Sequence, residues 1–184
     1  REAHWRAVIH ADEACIGNGM EPPTPGGAGG LVELHRVGTA GAVRRDYFVS
    51  APDTTNNRMA LCSASAALEL LGAKGRSLQV EFVSDSKYLV QGMSEWVHAW
   101  RARGWRRKGG EIENLDLWQE LVELAERHEM TWRWVRGHAG HPKNEYANHL
   151  AQKAAREQLD SGGLVKSGFA AWLAAEREKG RLSP

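Results

Sequence analysis

Apolar positions fall in short runs separated by turn residues, and the spacing inside each run predicts its element. Trp5-Arg6-Ala7-Val8-Ile9-His10-Ala11 is mostly apolar and reads as a central first strand leading into Asp12-Glu13. A Gly- and Pro-rich loop follows over residues 17–27. Residues 30–37 and 42–50 predict a hairpin about Gly38-Thr39-Ala40-Gly41. Asp53-Thr54-Thr55-Asn56-Asn57 is rich in helix-capping residues, and a helix runs from there to Leu71 and stops at Gly72. Its stripe of Ala60, Ala64, Ala67, Leu68 and Leu71 has helical spacing, and the small residues let it lie close to a sheet. Residues 78–84 predict a strand, with Asp85 directly after it opening a helical stretch to Gln91. Residues 94–103 and 114–128 read as helices, and 130–136 as a Trp-rich strand. Gly137-His138-Ala139-Gly140 is a flexible loop. His141-Pro142 starts a helix to Leu159, with proline at a permitted first-turn position. Ser161-Gly162-Gly163 breaks it before a last amphipathic helix at 169–179.

Three strands, a helix, a strand, helices, a strand and a helix make a mixed sheet with helices packed on it, an α/β domain. A length of 184 residues fits one such domain. No run approaches the roughly 18 apolar residues of a membrane span, and no signal-peptide pattern opens the chain. Only two cysteines, Cys15 and Cys62, stand in unlike contexts. That argues against a disulfide framework or zinc knuckle and for a reducing, cytoplasmic setting. A net charge of +1 does not announce a nucleic-acid binder. The unusual figure is eight Trp, six of them between Trp96 and Trp134.

Three features carry candidate chemistry. Asp12 and Asp85 end apolar strands, where α/β folds collect ligand sites. Together they would share a hard cation; separately each would cap the turn or helix that follows. Over residues 101–108, Arg101, Arg103, Arg106, Arg107 and Lys108 make five basic residues in eight, flanked by Trp96, Trp100 and Trp105. Cations neutralise phosphates and indoles pack on sugar and base, although a charge run also suits a solvated helix end. His138, between Gly137 and Ala139-Gly140, is placed for a proton shuttle, or is an ordinary loop histidine.

The order of several longer motifs goes further. Ala11-Asp12-Glu13-Ala14-Cys15-Ile16-Gly17-Asn18, Thr54-Thr55-Asn56-Asn57-Arg58-Met59, Ser84-Asp85-Ser86-Lys87-Tyr88, Arg103-Gly104-Trp105 and Trp134-Val135-Arg136-Gly137-His138-Ala139-Gly140-His141-Pro142-Lys143-Asn144-Glu145 resemble type 1 ribonuclease H, over about residues 5–158. The resemblance implies a five-stranded mixed sheet of order 3-2-1-4-5 with helices on both faces. It implies a domain over 1–160, with a basic protrusion near 94–113, and a tail over 161–184. It implies endonucleolytic cleavage of the RNA strand of RNA–DNA hybrids by two divalent metals, Mg²⁺ with Mn²⁺ as a substitute; a monomer is expected, with no motif that fixes the oligomeric state. Cys15, Asn18, Thr55, Asn56, Asn57 and Lys87 match positions that line the hybrid, the Trp-flanked basic segment matches the protrusion that binds the DNA strand, and His138 matches the histidine that helps product leave.

The chain departs from that family where it matters most. The family uses four carboxylates, and Asp12 and Asp85 match the first and third. Ala60 stands in place of the glutamate, and Asn148 in place of the last aspartate. A new acid, Glu13, stands beside Asp12, so the resemblance implies a set of Asp12, Glu13, Asp85 and Asn148. Neighbouring strand residues point to opposite faces, so Glu13 is expected to join Asp12 only if the strand ends or bulges there. The alternative is a surface Glu13 in a catalytically silent module that binds hybrid or double-stranded RNA. The loop before Pro25 is about four residues longer than in the family.

Overall fold

The computed structural model describes residues 4–182; residues 1–3 and 183–184, at the ends of the expected domain and tail, lie outside it. β1 (Trp5–Cys15) is the spine of the sheet. Its alternation sends Ala7, Ile9 and Ala11 to one face, where they meet Ala60, Ala64, Ala67 and Leu68 of α1 (Asn56–Leu71) in the main core. Of the capping residues expected over 53–57, Thr55 is the N-cap, and its hydroxyl accepts from the Arg58 N–H at 3.1 Å.

β1 pairs antiparallel with β2 (Gly26–Arg36), and β2 antiparallel with β3 (Val43–Ala51). On its other side β1 runs parallel to β4 (Gln79–Ser84), which runs parallel to β5 (Glu129–Trp134). The order 3-2-1-4-5 is present, and a sixth strand that the sequence did not suggest extends it. This is β6 (Val165–Lys166), two residues long and paired with Arg45 and Asp46 of β3. α2 (Lys87–Gln91) and α3 (Val97–Ala102), expected as separate helices, are joined by a π-helical turn over Gly92–Trp96.

Helices cover both faces. α4 (Leu115–Ala125) packs on α1 on one side, and α5 (Pro142–Glu157) lies across β2 and β1 on the other. Two glycines of β2 let α5 come that close: a Cβ on Gly27 would stand 2.3 Å from the Ala155 nitrogen, and one on Gly29 2.6 Å from the Leu150 Cβ. α6 (Phe169–Glu178) packs on α5 in turn, with Phe169 and Trp172 against Tyr146 at ring-centroid distances of 5.4 and 5.3 Å. Among the described residues no helix is long and apolar enough to cross a membrane.

Candidate active site

β1 and β4 are paired only as far as His10 and Val83. Beyond that point β1 stays paired with β2 through Cys15, but its β4-side edge is open. Asp12 lies on this half-open stretch, and Asp85 follows the last residue of β4. Glu13 lies there too, on the face that Ala11 shares with α1 and Ala60. Carboxylate oxygens of Asp12, Glu13 and Asp85 all lie within 4.8 Å of one another. The strand therefore neither ends nor bulges at Glu13, contrary to the expected condition. The longer Glu13 side chain reaches across the edge that β4 leaves free.

The remaining contacts hold Asp12 in place. Its Oδ1 accepts from the Glu13 N–H at 2.8 Å, and its Oδ2 accepts from the Asn148 amide of α5 at 2.9 Å. Burial and the neighbouring Asp85 push the Asp12 carboxyl up to about 6. Burial, then the charges of Asp12 and Asp85, raise Glu13 well above the usual carboxylate range. Among the described residues none of the three takes part in an ion pair. Such a group of oxygens, repelling one another without a protein cation, suits a hard divalent ion. Ala11, Gly137, His138, Asn144 and Glu145 complete the cleft around Asp12, Asp85 and Asn148.

Three supporting residues escaped the sequence reading. A Cβ on Gly137 would stand 2.4 Å from Asp85 Oδ2, so this glycine makes room for the carboxylate rather than merely loosening a loop. Trp134 donates its indole N–H to the Asp85 carbonyl at 3.0 Å. Lys143, in the first turn of α5, pairs with buried Glu33 of β2 at 2.6 Å and ties that turn to the sheet. All three lie inside the matched 134–145 motif, but their roles were not legible because each acts through a partner far along the chain. His138 is exposed on the loop before α5, beside the cleft.

The candidate substrate residues fall in two groups. Asn18 accepts from the Asn56 N–H through its side-chain oxygen at 2.9 Å, which sets the β1–β2 loop beside Thr55, Asn56 and Asn57. Cys15 is turned toward the protein, its thiol on the Thr24 and Thr54 carbonyls at 3.5 and 3.4 Å. Lys87 extends over the Trp134 ring at 4.8 Å. In the protrusion, Arg103, Arg106, Arg107 and Lys108 are exposed, while Arg101 is ion-paired with Glu126. Trp96, Trp100 and Trp105 are partly buried against the core. Trp96 and Trp100 contact each other and Trp118 ring to ring, so they are not the free indole faces the sequence suggested. They still line a groove of about 400 Å³ with Tyr88 and Arg107.

The RNase H family model matches residues 5–156. The chain belongs to the RNase H family. The Ribonuclease H of Methylococcus capsulatus (strain ATCC 33009 / NCIMB 11132 / Bath) is 41% identical over 161 residues, covering 87% of this chain and 96% of that relative. The crystal structure of LC9-RNase H1, described as a type 1 RNase H with the type 2 active-site motif, is 54% identical with a TM-score of 0.88, over 97% of this chain and 85% of that one. LC11-RNase H1, solved in complex with RNA/DNA hybrid, shares the fold at a TM-score of 0.58 and 19% identity, over 83% of this chain and 98% of that one. As an RNase H this protein is a metal-dependent endoribonuclease.

Proposed function

We propose that this RNase H cleaves the RNA strand of RNA–DNA hybrids with Asp12, Glu13, Asp85 and Asn148 as its metal-holding set, and with Mg²⁺, or Mn²⁺ in its place, as the ion. One observation carries the reading: the Glu13 carboxylate stands with those of Asp12 and Asp85, although Ala60 occupies the family's glutamate position. The 54% identical relative, described as a type 1 RNase H with the type 2 active-site motif, supports a departure from the usual set. When bound, the divalent ions activate water and stabilise the leaving oxygen. The protein's own part is to hold the oxygens. Asp12, fixed by Asn148 and the Glu13 N–H, is the centre, and Glu13 and Asp85 flank it. Asn148 has an amide oxygen to offer and no charge. Glu145 lies one turn earlier on the same helix and lines the same cleft.

The hybrid's RNA strand lies along Asn18, Thr55, Asn56 and Asn57, where 2′-hydroxyls distinguish it from DNA, while the inward thiol of Cys15 steadies the strand end beside them. Lys87 lines the hybrid, the exposed cations of the protrusion take the DNA strand, and the Trp96–Trp100–Trp118 cluster keeps the protrusion rigid. His138, exposed at the cleft mouth, assists product departure. Two free thiols, Cys15 and Cys62, fit a cytoplasmic setting. Three clustered acids favour the enzyme over the silent binding module. The test is incubation of labelled hybrid, duplex DNA and double-stranded RNA with the protein and Mg²⁺. The expected result is cleavage of the hybrid's RNA strand, poor cutting of double-stranded RNA, and intact duplex DNA. Comparable cutting of duplex DNA would overturn the reading.

A further inference from the structure

We propose that His10 is a positioning residue: its buried ring is the seat on which His141 stacks, and through His141 it holds the 137–141 loop so that His138 stands at the cleft mouth. This rests on the reading of His138 in product departure given above. The loop needs holding. His138 has a left-handed backbone, with φ 53°, and Gly140 follows at φ 79°. Residues with a side chain rarely adopt that conformation, and it persists where the surroundings impose it. The loop's first end is fixed by the Val135 N–H, which donates to the Ser84 carbonyl at 3.0 Å, and by the Trp134 indole on the Asp85 carbonyl. Its second end is His141, the N-cap residue of α5, whose side chain makes no capping hydrogen bond. The His141 ring lies instead on that of His10, with centroids 5.6 Å apart and planes 15° from parallel.

Alternation along β1 puts His10 on the face of Asp12, opposite Leu31 of β2, which packs on α5. His10 is 8% exposed. Among the described residues its Nδ1 has no hydrogen-bond partner. A buried polar atom left unpaired costs free energy, so that nitrogen is not what this side chain contributes. What it contributes is a flat face, and nearly parallel rings at this separation attract beyond the area they bury. Lys143, in the same first turn of α5, is paired with Glu33 of β2. The ion pair holds the turn down on the sheet, and the stack holds the residue where loop becomes helix. Without the His10 ring the stack is lost, His138 is freer to leave its left-handed conformation, and its imidazole moves off the cleft mouth.

The experiment is hybrid cleavage in Mg²⁺ in two regimes: single turnover with enzyme in excess, which reads the chemical step, and steady-state kcat, which includes product departure. The proteins are wild type, His10→Leu, His10→Phe, His141→Ala, His138→Ala and the His10→Leu/His138→Ala double variant. Leucine removes the flat ring at position 10 and phenylalanine keeps it. His141 is exposed, so its alanine variant leaves the core intact. The expected result is a lower kcat for His138→Ala with an unchanged single-turnover rate. His10→Leu and His141→Ala lower kcat roughly three- to tenfold, the scale of a lost aromatic pair, and also leave single turnover unchanged. His10→Phe keeps the wild-type kcat, and the double variant is no slower than His138→Ala, because both changes remove one function. An equal loss in both regimes for His10→Leu puts its effect on Asp12, two residues away, and overturns the assignment. So does a wild-type kcat in His10→Leu or His141→Ala, a loss in His10→Phe matching that of His10→Leu, or additive losses in the double variant. A wild-type kcat in His138→Ala overturns the assignment together with the reading of His138. No cleavage by wild type overturns both together with the hybrid reading.

Discussion

Replacing Gly137 with alanine adds one methyl group at a point where the structure has no room for it. The new Cβ would stand 2.4 Å from Asp85 Oδ2, 3.2 Å from its Cγ and 3.3 Å from its Cβ. Ordinary contact begins near 3.4 Å, so the carboxylate must retreat by about 1 Å. Gly137 is not among the glycines with left-handed backbone, so alanine suits the chain conformation and the closest collisions fall on Asp85. A displacement of roughly 1 Å in a catalytic group costs about 10²-fold in rate. Stability moves far less: the alanine restricts the unfolded chain, which favours folding by roughly 0.4–1 kcal/mol and offsets part of the crowding. Hybrid cleavage under saturating substrate, over a range of Mg²⁺ concentrations, and a thermal midpoint measured on the same sample separate the two effects. The expected result is a kcat lower by about two orders of magnitude with a midpoint within a few degrees of wild type. Turnover within threefold of wild type would refute the idea that Gly137 exists to seat Asp85.

Two further outcomes follow from the charges. Asp12 moves from 3.8 up to about 6 on folding, and Glu13 also moves up, so between about pH 4 and 6 the folded protein binds more protons than the unfolded chain. Stability in EDTA, taken as the difference between wild type and Asp12→Asn, should therefore fall through that window by roughly 3 kcal/mol. Added Mg²⁺ should stabilise more strongly as pH rises from 5 to 8; a stabilisation independent of pH would contradict the assignment. On the protrusion, Arg106→Ala/Arg107→Ala/Lys108→Ala should weaken hybrid binding and flatten its salt slope by roughly 0.7–0.9 per lost phosphate contact, with kcat little changed. An unchanged slope would remove these cations from the binding surface.

Legibility along the chain follows the range of the interactions involved. Asp12 and Asp85 could be picked out because apolar strands run straight into them, and the start of α1 because a run of capping residues over 53–57 is a local signal. The motif order carried the sheet order. β6 was hidden because two exposed residues have no periodicity, and only the partners Arg45 and Asp46 make them a strand. The reach of Glu13 was obscured for a related reason: alternation along β1 was read correctly, but where β4 stops beside it is a pairing property. Trp96 and Trp100 looked like free stacking surfaces because nothing in their spacing announces Trp118 as a ring neighbour. Gly137 read only as part of a flexible loop because its close approach to Asp85 joins segments 52 residues apart.

The central claim is that Glu13 has taken over the work of the glutamate missing at Ala60. Glu13→Gln preserves size and an oxygen ligand and removes only the charge. The decisive measurement is hybrid cleavage by wild type, Glu13→Gln and the Ala60→Glu/Glu13→Gln double variant at low and high Mg²⁺. Glu13 lies on the β1 face that packs on α1, where Ala60 is buried in the same core, so the restored acid approaches the cleft from the neighbouring helix. The account predicts a loss on the order of 10² or more for Glu13→Gln at low Mg²⁺, with partial recovery in the double variant. Equal cleavage by wild type and Glu13→Gln at low Mg²⁺ would contradict it and leave Asp12, Asp85, Asn148 and Glu145 to hold the metal without Glu13.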